Sequence, residues 1–518
     1  MEVRRAPRLQ AKHKFSKRPP VIDYLPHPLD LQDEDTPNAL TYVEQYQRRF
    51  SASFRDHWNW TNKLKDRAYF AELLRNAQRE DRCLRDEKVL TWRKEDIKMV
   101  YDDLIKGYEP YVKSLRENGS SIEPDIDCVW REDDFLDNDG LRLKLITAMD
   151  ALRNVFFMND EWRLTSDNPV IDFINPYCWP IVYRRSVSDI NDDILVEPPK
   201  ANSGHGVHKL YSRKFCWLPS EFKVSPDGKS TRITSYINNL ALISQERLLY
   251  PILAKIFTYF VPMFDRTLAD IEGRKYLCRR VRSPPDKPEI WKLSATTYKR
   301  RWERLLAQFQ NGERLQENFD SDSSEEEPEY EDEDEGPVEK QPRLKPPPRK
   351  RYIKVRELAL YRRKIGRRWE PPKLSESTGL KGQTVKVIVR LMNINLPPRG
   401  PKFATRGGWM TEGVLNERIV ATGIYCYAQK NLENPRIVFS LQIKETSNDK
   451  DWRLAHNISM EATNQEIGAT SLKDNRAITF PNIFSYRLDL SLQDDDRPGY
   501  CKFVIFHICD LNSQESNL

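Results

Sequence analysis

Side chains that bind metal ions are scarce in this sequence. It contains seven histidines and eight cysteines, and the cysteines are scattered singly without a CxxC pair. Zinc ribbons and thioredoxin-like sites use such closely spaced pairs, so the sequence argues against both classes. We expect the cysteines to be buried free thiols in a reducing compartment.

A secretory signal and a long apolar run are also missing. The first twenty residues are basic and contain no apolar stretch of the kind that a signal peptide carries. The most apolar segment, residues 248–264, contains one lysine and two prolines and is short for a membrane span. These features predict an intracellular protein, cytoplasmic or nuclear, that does not associate with membranes. Residues 248–264 are expected to form a core helix.

Neither sign of charge dominates the chain. The net charge is +6, and it averages blocks of opposite sign, which argues against nucleic acid as a partner. Residues 320–335 contain eleven acidic residues, and basic clusters follow at 345–354 and 362–368. This composition predicts a disordered acidic then basic linker over residues 311–375. Because the basic clusters resemble nuclear localisation signals, a nuclear adaptor remains an alternative interpretation.

Hydrophobic periodicity divides the rest of the chain into three segments. Residues 1–87 form a charged extension with one predicted amphipathic helix, and residues 88–310 are rich in helical periods. A small hairpin is predicted around the Pro-Asp-Gly sequence at 226–228. Residues 376–514 contain many short β-branched and aromatic runs, which predict a sandwich or barrel. The predicted fold class is therefore α+β, with a mainly helical N-terminal region.

A set of short motifs occurs in a characteristic order along the chain. The motifs are DFINPYCWPIVY, FCWLPSEF, GGWMTEGVLNERIVATGIYCY, ITFPNIFSYR and RPGYCKF. They resemble the motifs of a fungal family known as domain of unknown function 4246, over roughly residues 88–310 and 376–514. The C-terminal half of that family is similar to iron(II)/2-oxoglutarate oxygenases. The resemblance therefore implies that residues 376–514 form a double-stranded β-helix, or jelly-roll.

The resemblance also implies a metal site. A WHxEG motif of the family supplies a histidine and a carboxylate, which share one face of a strand because they are two residues apart. A histidine in an FPNxxQHR-like motif completes a facial triad with open positions. An arginine in a PGHRK-like motif forms a bidentate pair with 2-oxoglutarate.

This chain departs from the family at most of these positions. Met410 replaces the first histidine, Tyr486 replaces the second, and Cys501 replaces the arginine, whereas Glu412 is retained. A thioether is a poor ligand for iron(II), and a phenolate favours the ferric state. Glu412 is thus the single retained ligand position. The departures predict that the chain has no cofactor.

Other histidines offer little compensation. His507 falls at an apolar position of the last strand and is interpreted as a satisfied structural residue. His456 could lie near the mouth of the barrel. His205 and His208 have a metal-like spacing but no nearby carboxylate or thiolate. A histidine close to Glu412 would favour an active site.

The resemblance and the departures together predict a catalytically degenerate member of an oxygenase-like family. Such a pseudoenzyme would act as a binding or scaffold protein for an unidentified protein or small molecule. The alternative is an active dioxygenase that uses iron(II) and 2-oxoglutarate in a rearranged site to tailor a fungal metabolite.

Overall fold

The chain folds into two compact units. The first unit comprises Met1–Arg280, Arg367–Thr446 and Glu461–Leu518, and the second comprises Val281–Gly366 and Ser447–Met460. The computed structural model describes residues 25–29, 31, 36–37, 39–40, 42–84, 94–136, 140–158, 169–186, 195–198, 211–240, 243–276, 290–292, 351–353, 369–374, 379–404, 408–444, 456, 458 and 463–511.

The helices belong to the first unit and precede most of its strands. A π-helical turn at Leu104–Tyr108 connects the fourth helix to the fifth. The helices are α1 (Tyr42–Arg55), α2 (Trp60–Lys63), α3 (Arg67–Leu84), α4 (Lys94–Asp103), α5 (Glu109–Glu117), α6 (Leu141–Met158) and α7 (Ile243–Glu272).

The strands are antiparallel throughout the described ranges. Two of them, β8 (Ile290–Lys292) and β9 (Arg351–Ile353), pair within the second unit. The strands of the first unit are β1 (Glu123–Pro124), β2 (Trp130–Glu132), β3 (Val170–Ile174), β4 (Ile181–Val182), β5 (Phe215–Cys216), β6 (Ser220–Val224), β7 (Thr231–Ile233), β10 (Thr384–Leu396), β11 (Phe403–Ala404), β12 (Ile419–Lys430), β13 (Leu432–Gln442), β14 (Asn464–Ser471), β15 (Arg476–Pro481), β16 (Phe484–Leu492) and β17 (Gly499–Cys509).

Two sheets form the framework of the first unit. The larger sheet has nine strands in the order β1-β2-β15-β12-β17-β10-β6-β7, and β3 also pairs with β10. The smaller sheet has the order β11-β16-β13-β14. The mixture of helices and antiparallel sheets agrees with the predicted α+β class.

The larger sheet is buried on both faces, which explains why β12 and β17 are almost continuously apolar. On one face, Phe506 of β17 contacts Phe257 and Phe260 of α7, with ring centroids 5.4 and 5.7 Å apart. On the other face, Phe480 of β15 packs 4.9 Å from Phe439 of the smaller sheet. Residues alternate between these faces along each strand, so the space between the sheets receives every second side chain.

Helix α7 occupies the position of a core helix. The core helix that the sequence predicts over residues 248–264 lies within its observed bounds. Its segment Leu248–Glu272 is long and apolar enough to cross a membrane by composition, but 67% of its most apolar window is buried. Gly423 of β12 permits the close approach of α7, because a Cβ atom there would lie 2.7 Å from the ring of Phe264.

The predicted hairpin is confirmed. Strands β6 and β7 pair, and the amide of Ser225 donates to the carbonyl of Ser230 at 2.9 Å. Gly228 has φ +71°, a left-handed conformation that glycine adopts without steric cost.

The described residues of the N-terminal extension form three helices, whereas the sequence pattern predicts one. The pattern is interrupted because Asp66 caps a new helix: its Oδ1 accepts the amides of Ala68 and Tyr69 at 2.9 and 3.1 Å. Trp60 and Leu64 are fully buried. The extension is therefore part of the core of the first unit.

Domain boundaries also differ from the predicted ones. Residues 88–310 and 376–514 do not form separate domains, because β2 pairs with β15 and both β3 and β6 pair with β10. The N-terminal strands thereby cover edges of the sheet that would otherwise carry unpaired amides and carbonyls. Within the predicted linker, β9 is a strand and Trp369 stacks on Tyr108 at 4.3 Å. The acidic run at 320–335 lies outside the described residues.

A buried ion-pair network ties the extension to the larger sheet. Arg476 of β15 is fully buried, and its guanidinium donates to Asp56 at 2.7 Å and to Asp133 at 2.5 and 2.8 Å. Although burial alone would raise the pKa of Asp56, the neighbouring cations Arg476, Arg131 and Lys473 lower it to about 2. Both carboxylates are therefore charged at neutral pH.

Candidate functional site

Three of the predicted site residues converge between the two sheets. Met410 and Tyr486 form a bridge in which the Met410 amide donates to the Tyr486 carbonyl at 2.8 Å and the Tyr486 amide donates back at 2.9 Å. Residues that exchange both hydrogen bonds in this way have Cα atoms about 5.5 Å apart. Glu412 follows two residues after Met410 and is buried.

The Glu412 carboxylate is bound by Tyr486. The Tyr486 hydroxyl donates to Glu412 Oε1 at 2.5 Å. Burial, followed by the charge of Glu412, raises the pKa of the Tyr486 phenol well above its usual range. The phenol is therefore protonated at neutral pH and acts as a hydrogen-bond donor.

The FPN motif holds the backbone of Glu412 in place. The side-chain amide of Asn482 donates to the carbonyls of Glu412 and Ile419, at 2.9 and 3.0 Å. Gly413 has φ +72°, and a Cβ atom there would lie 2.8 Å from the side chain of Ile419. Glycine is thus required both for the turn and for the contact with β12.

An arginine that the motifs did not reveal lies beside Glu412. Arg390 of β10 donates to both oxygens of Asp172 on β3, from Nε at 2.8 Å and from Nη2 at 2.9 Å. Burial alone would lower the pKa of Arg390, but the hydrogen-bonded pair with Asp172, and then the charge of Glu412, raise it. The guanidinium is a permanent cation whose charge is matched by Asp172.

His507 of β17 also faces this site. Its Nδ1 lies 3.0 Å from Thr422 Oγ1 on β12, whereas Nε2 has no hydrogen-bond partner in the described part of the chain. Burial lowers the pKa of His507 to about 4, with Glu412 opposing and Arg390 adding to the shift. The ring is therefore neutral at pH 7. Among the described residues, a hydrogen bond to Thr422 accounts for one of its two nitrogens, so the satisfied structural role stays a prediction for the other.

Two aromatic rings connect His507 to the surface. The ring centroid of Trp217 lies 6.2 Å from that of His507 and 4.8 Å from that of Tyr177, which it meets edge to face. Tyr177 is 63% exposed, whereas Trp217 is buried. Burial, followed by the charge of Glu412, raises the pKa of the Tyr177 phenol. Tyr177 thus lies at the surface, within the electrostatic influence of the buried carboxylate.

Glu417 fixes the two loops around Trp217. Its Oε1 accepts the amide of Trp217 at 2.8 Å, and its Oε2 accepts the amide of Val414 at 2.7 Å. Glu417 is buried and carries a second negative charge close to Tyr177.

The remaining candidates lie elsewhere. Cys501 is six positions before His507 on β17, or about 20 Å along an extended strand, and its Sγ lies 3.4 Å from that of Cys426. It therefore does not join Met410, Glu412 and Tyr486. His456 is a buried residue of the second unit, and residues 205 and 208 lie outside the described ranges.

The residues at the family's ligand positions do not fit iron(II). They supply a thioether, one carboxylate and a protonated phenol that is already bonded to that carboxylate. Among the described residues, no group of three or more His, Cys, Asp or Glu side chains is placed to hold a metal ion. We therefore derive no step through iron.

Comparison with known proteins identifies the family. The family described as Protein of unknown function (DUF4246) matches residues 95–514, and the chain belongs to this family. The resemblance seen in the short motifs is thereby confirmed. No curated protein matches the chain.

Two solved structures share limited similarity with the chain. One is a selenomethionine-labelled Fe(II)/(alpha)ketoglutarate-dependent dioxygenase, TqaL, with 10% identity and a TM-score of 0.22 over 56% of this chain and 66% of that one. The other is a bsmA homologue from Methylobium petroleophilum PM1, with 10% identity and a TM-score of 0.17 over 28% and 57%. TM-scores this low do not establish a shared fold.

Proposed function

We propose that this chain is a catalytically degenerate member of an oxygenase-like jelly-roll family and that it acts by binding a partner. It would do so inside the cell, in the cytoplasm or the nucleus. The hydrogen bond from Tyr486 to Glu412 carries this proposal, because it places a protonated phenol where a metal ligand would stand. A carboxylate that already accepts this bond, beside a thioether, gives no chelate for iron(II).

The arrangement of the sheets supports the jelly-roll part of the proposal. Two antiparallel sheets pack face to face, and the candidate site lies between them, close to the bridge between Met410 and Tyr486. Double-stranded β-helices place their ligand sites in the same space, between the two sheets. The α7 helix covers the outer face of the larger sheet and leaves the inner face for binding.

One observation favours the alternative of an active oxygenase with a rearranged site. No described residue bonds Nε2 of His507, and the charge of Glu412 acts on this ring, so the two could contribute to one metal site. Such an enzyme would need iron(II) and 2-oxoglutarate. Against it, Glu412 and His507 are two ligands where the facial triad uses three.

A turnover assay distinguishes the two functions. The full chain is incubated in air with iron(II), ascorbate and 2-oxoglutarate, and succinate is measured. We expect no succinate above the amount formed by the Glu412→Gln variant, because neither protein organises the metal. Succinate formation that depends on both Glu412 and His507 would overturn the proposed function in favour of the alternative.

A further inference from the structure

We infer that the site around Glu412 binds an organic ammonium ion that carries an aromatic or other flat apolar group. The inference rests on the proposed binding function and assigns the chemical class of its ligand. Three features support it: the charge balance of the site, the unpartnered nitrogen of His507, and the aromatic rings between this nitrogen and the surface.

The charge balance favours a cation. The charged groups that act on Tyr177 are the carboxylates of Glu412, Asp172 and Glu417 and the guanidinium of Arg390. Arg390 is matched by the two-point pair with Asp172, and within the described residues neither Glu412 nor Glu417 forms an ion pair of its own. Their hydrogen bonds come from a phenol and from backbone amides, which carry no net charge. Buried carboxylates are costly unless they are paired, and a ligand cation would provide the missing charge.

His507 supplies an acceptor for such a ligand. When its proton resides on Nδ1 and is donated to Thr422, Nε2 presents a lone pair. The ring is fully buried and neutral, and this lone pair has no protein donor within the described residues. An ammonium group has several N–H donors, so one that donates to Nε2 retains donors for a carboxylate acceptor.

Aromatic side chains line the approach to these acceptors. Trp217 lies against His507, and Tyr177 continues the path to solvent. Ring faces attract cations and stack on flat apolar groups, so both ends of the proposed ligand have a matching surface. An anion is disfavoured, because Arg390 already pairs with Asp172 and the nearby carboxylates repel it.

A matched ligand series tests the inference by isothermal titration calorimetry of the full chain at pH 7. Benzylamine, benzyl alcohol, benzoate and 2-oxoglutarate are titrated separately. We expect saturable binding of benzylamine, with benzyl alcohol and benzoate at least about tenfold weaker, as the loss of a charge-assisted hydrogen bond predicts. No binding of benzylamine, equal binding of the first three compounds, or tighter binding of either carboxylate would overturn it.

Variants locate the binding. Glu412→Gln keeps the size of the side chain and should weaken benzylamine at least about tenfold, whereas the exposed control Glu433→Gln should leave it unchanged. Tyr177→Leu changes a largely exposed residue and should also weaken benzylamine binding. It serves as the test if Glu412→Gln does not fold. Benzylamine affinity that resists both changes would contradict the inference. If benzylamine does not bind and no succinate forms, the ligand assignment fails while the proposed function stands. The two experiments therefore test the two claims separately.

Discussion

Changing Met410 and Tyr486 together to histidine is expected to create an iron(II) site. The two backbones form a hydrogen-bonded bridge, and Glu412 lies two residues beyond Met410, so both imidazoles would start next to the retained carboxylate. Removing the phenol also frees Glu412 Oε1 from its hydrogen bond. Two imidazoles and one carboxylate form the facial triad that suits iron(II). Anaerobic titration followed by metal analysis should give close to one equivalent of iron.

Three controls accompany the double variant. Each single histidine variant should bind iron much more weakly, because two ligands do not complete the triad. Adding Glu412→Gln to the double variant should abolish binding. The variant does not restore the family's arginine at Cys501, because this position is about 20 Å along β17 from His507. A folded double variant without iron would show that positions 410, 412 and 486 do not converge as described.

Replacing Arg476 with methionine should destabilise the first unit by about 3 kcal/mol. The change removes a buried cation that Asp56 and Asp133 share, although Arg131 still lies 3.3 and 3.2 Å from the two carboxylates. This value is at the lower end of the range for broken buried ion pairs, because both carboxylates are partly exposed and water screens them. Urea unfolding at pH 7 measures the loss.

The matched control for this variant is Arg399→Met. Arg399 also pairs with an aspartate, Asp496 at 2.7 Å, but its side chain is 80% exposed. Exposed pairs contribute about 0–1 kcal/mol, so the control should unfold almost as the unmodified chain does. Equal unfolding midpoints for the two variants would show that the Arg476 network contributes no more than a surface pair.

The sequence was most informative where a structural feature depends on a few neighbouring residues. The Pro-Asp-Gly turn predicted the hairpin because turn geometry is set by the turn residues themselves. The motifs around positions 410, 412 and 486 identified three side chains that converge. By contrast, the helix break before Asp66 was missed, although an aspartate before an apolar period is a capping signal.

The rest of the site depends on pairings between distant strands, which no local pattern records. Arg390 lies in a long apolar run, and only the pairing of β3 with β10 brings Asp172 to it. His507 was placed among apolar neighbours correctly, but its contact with Thr422 follows from the pairing of β12 with β17. Asp172 and Trp217 both lie in motifs that carry the family resemblance. Those motifs therefore also mark residues of the candidate site.

The metal content of the purified, unmodified chain tests the degenerate site most directly. The protein is loaded anaerobically with iron(II) and 2-oxoglutarate, desalted, and analysed for iron, while its visible spectrum is recorded. We expect far less than one equivalent of iron and no charge-transfer band, because Tyr486 and Met410 stand where two imidazoles are needed. Stoichiometric iron with a visible charge-transfer band would contradict it.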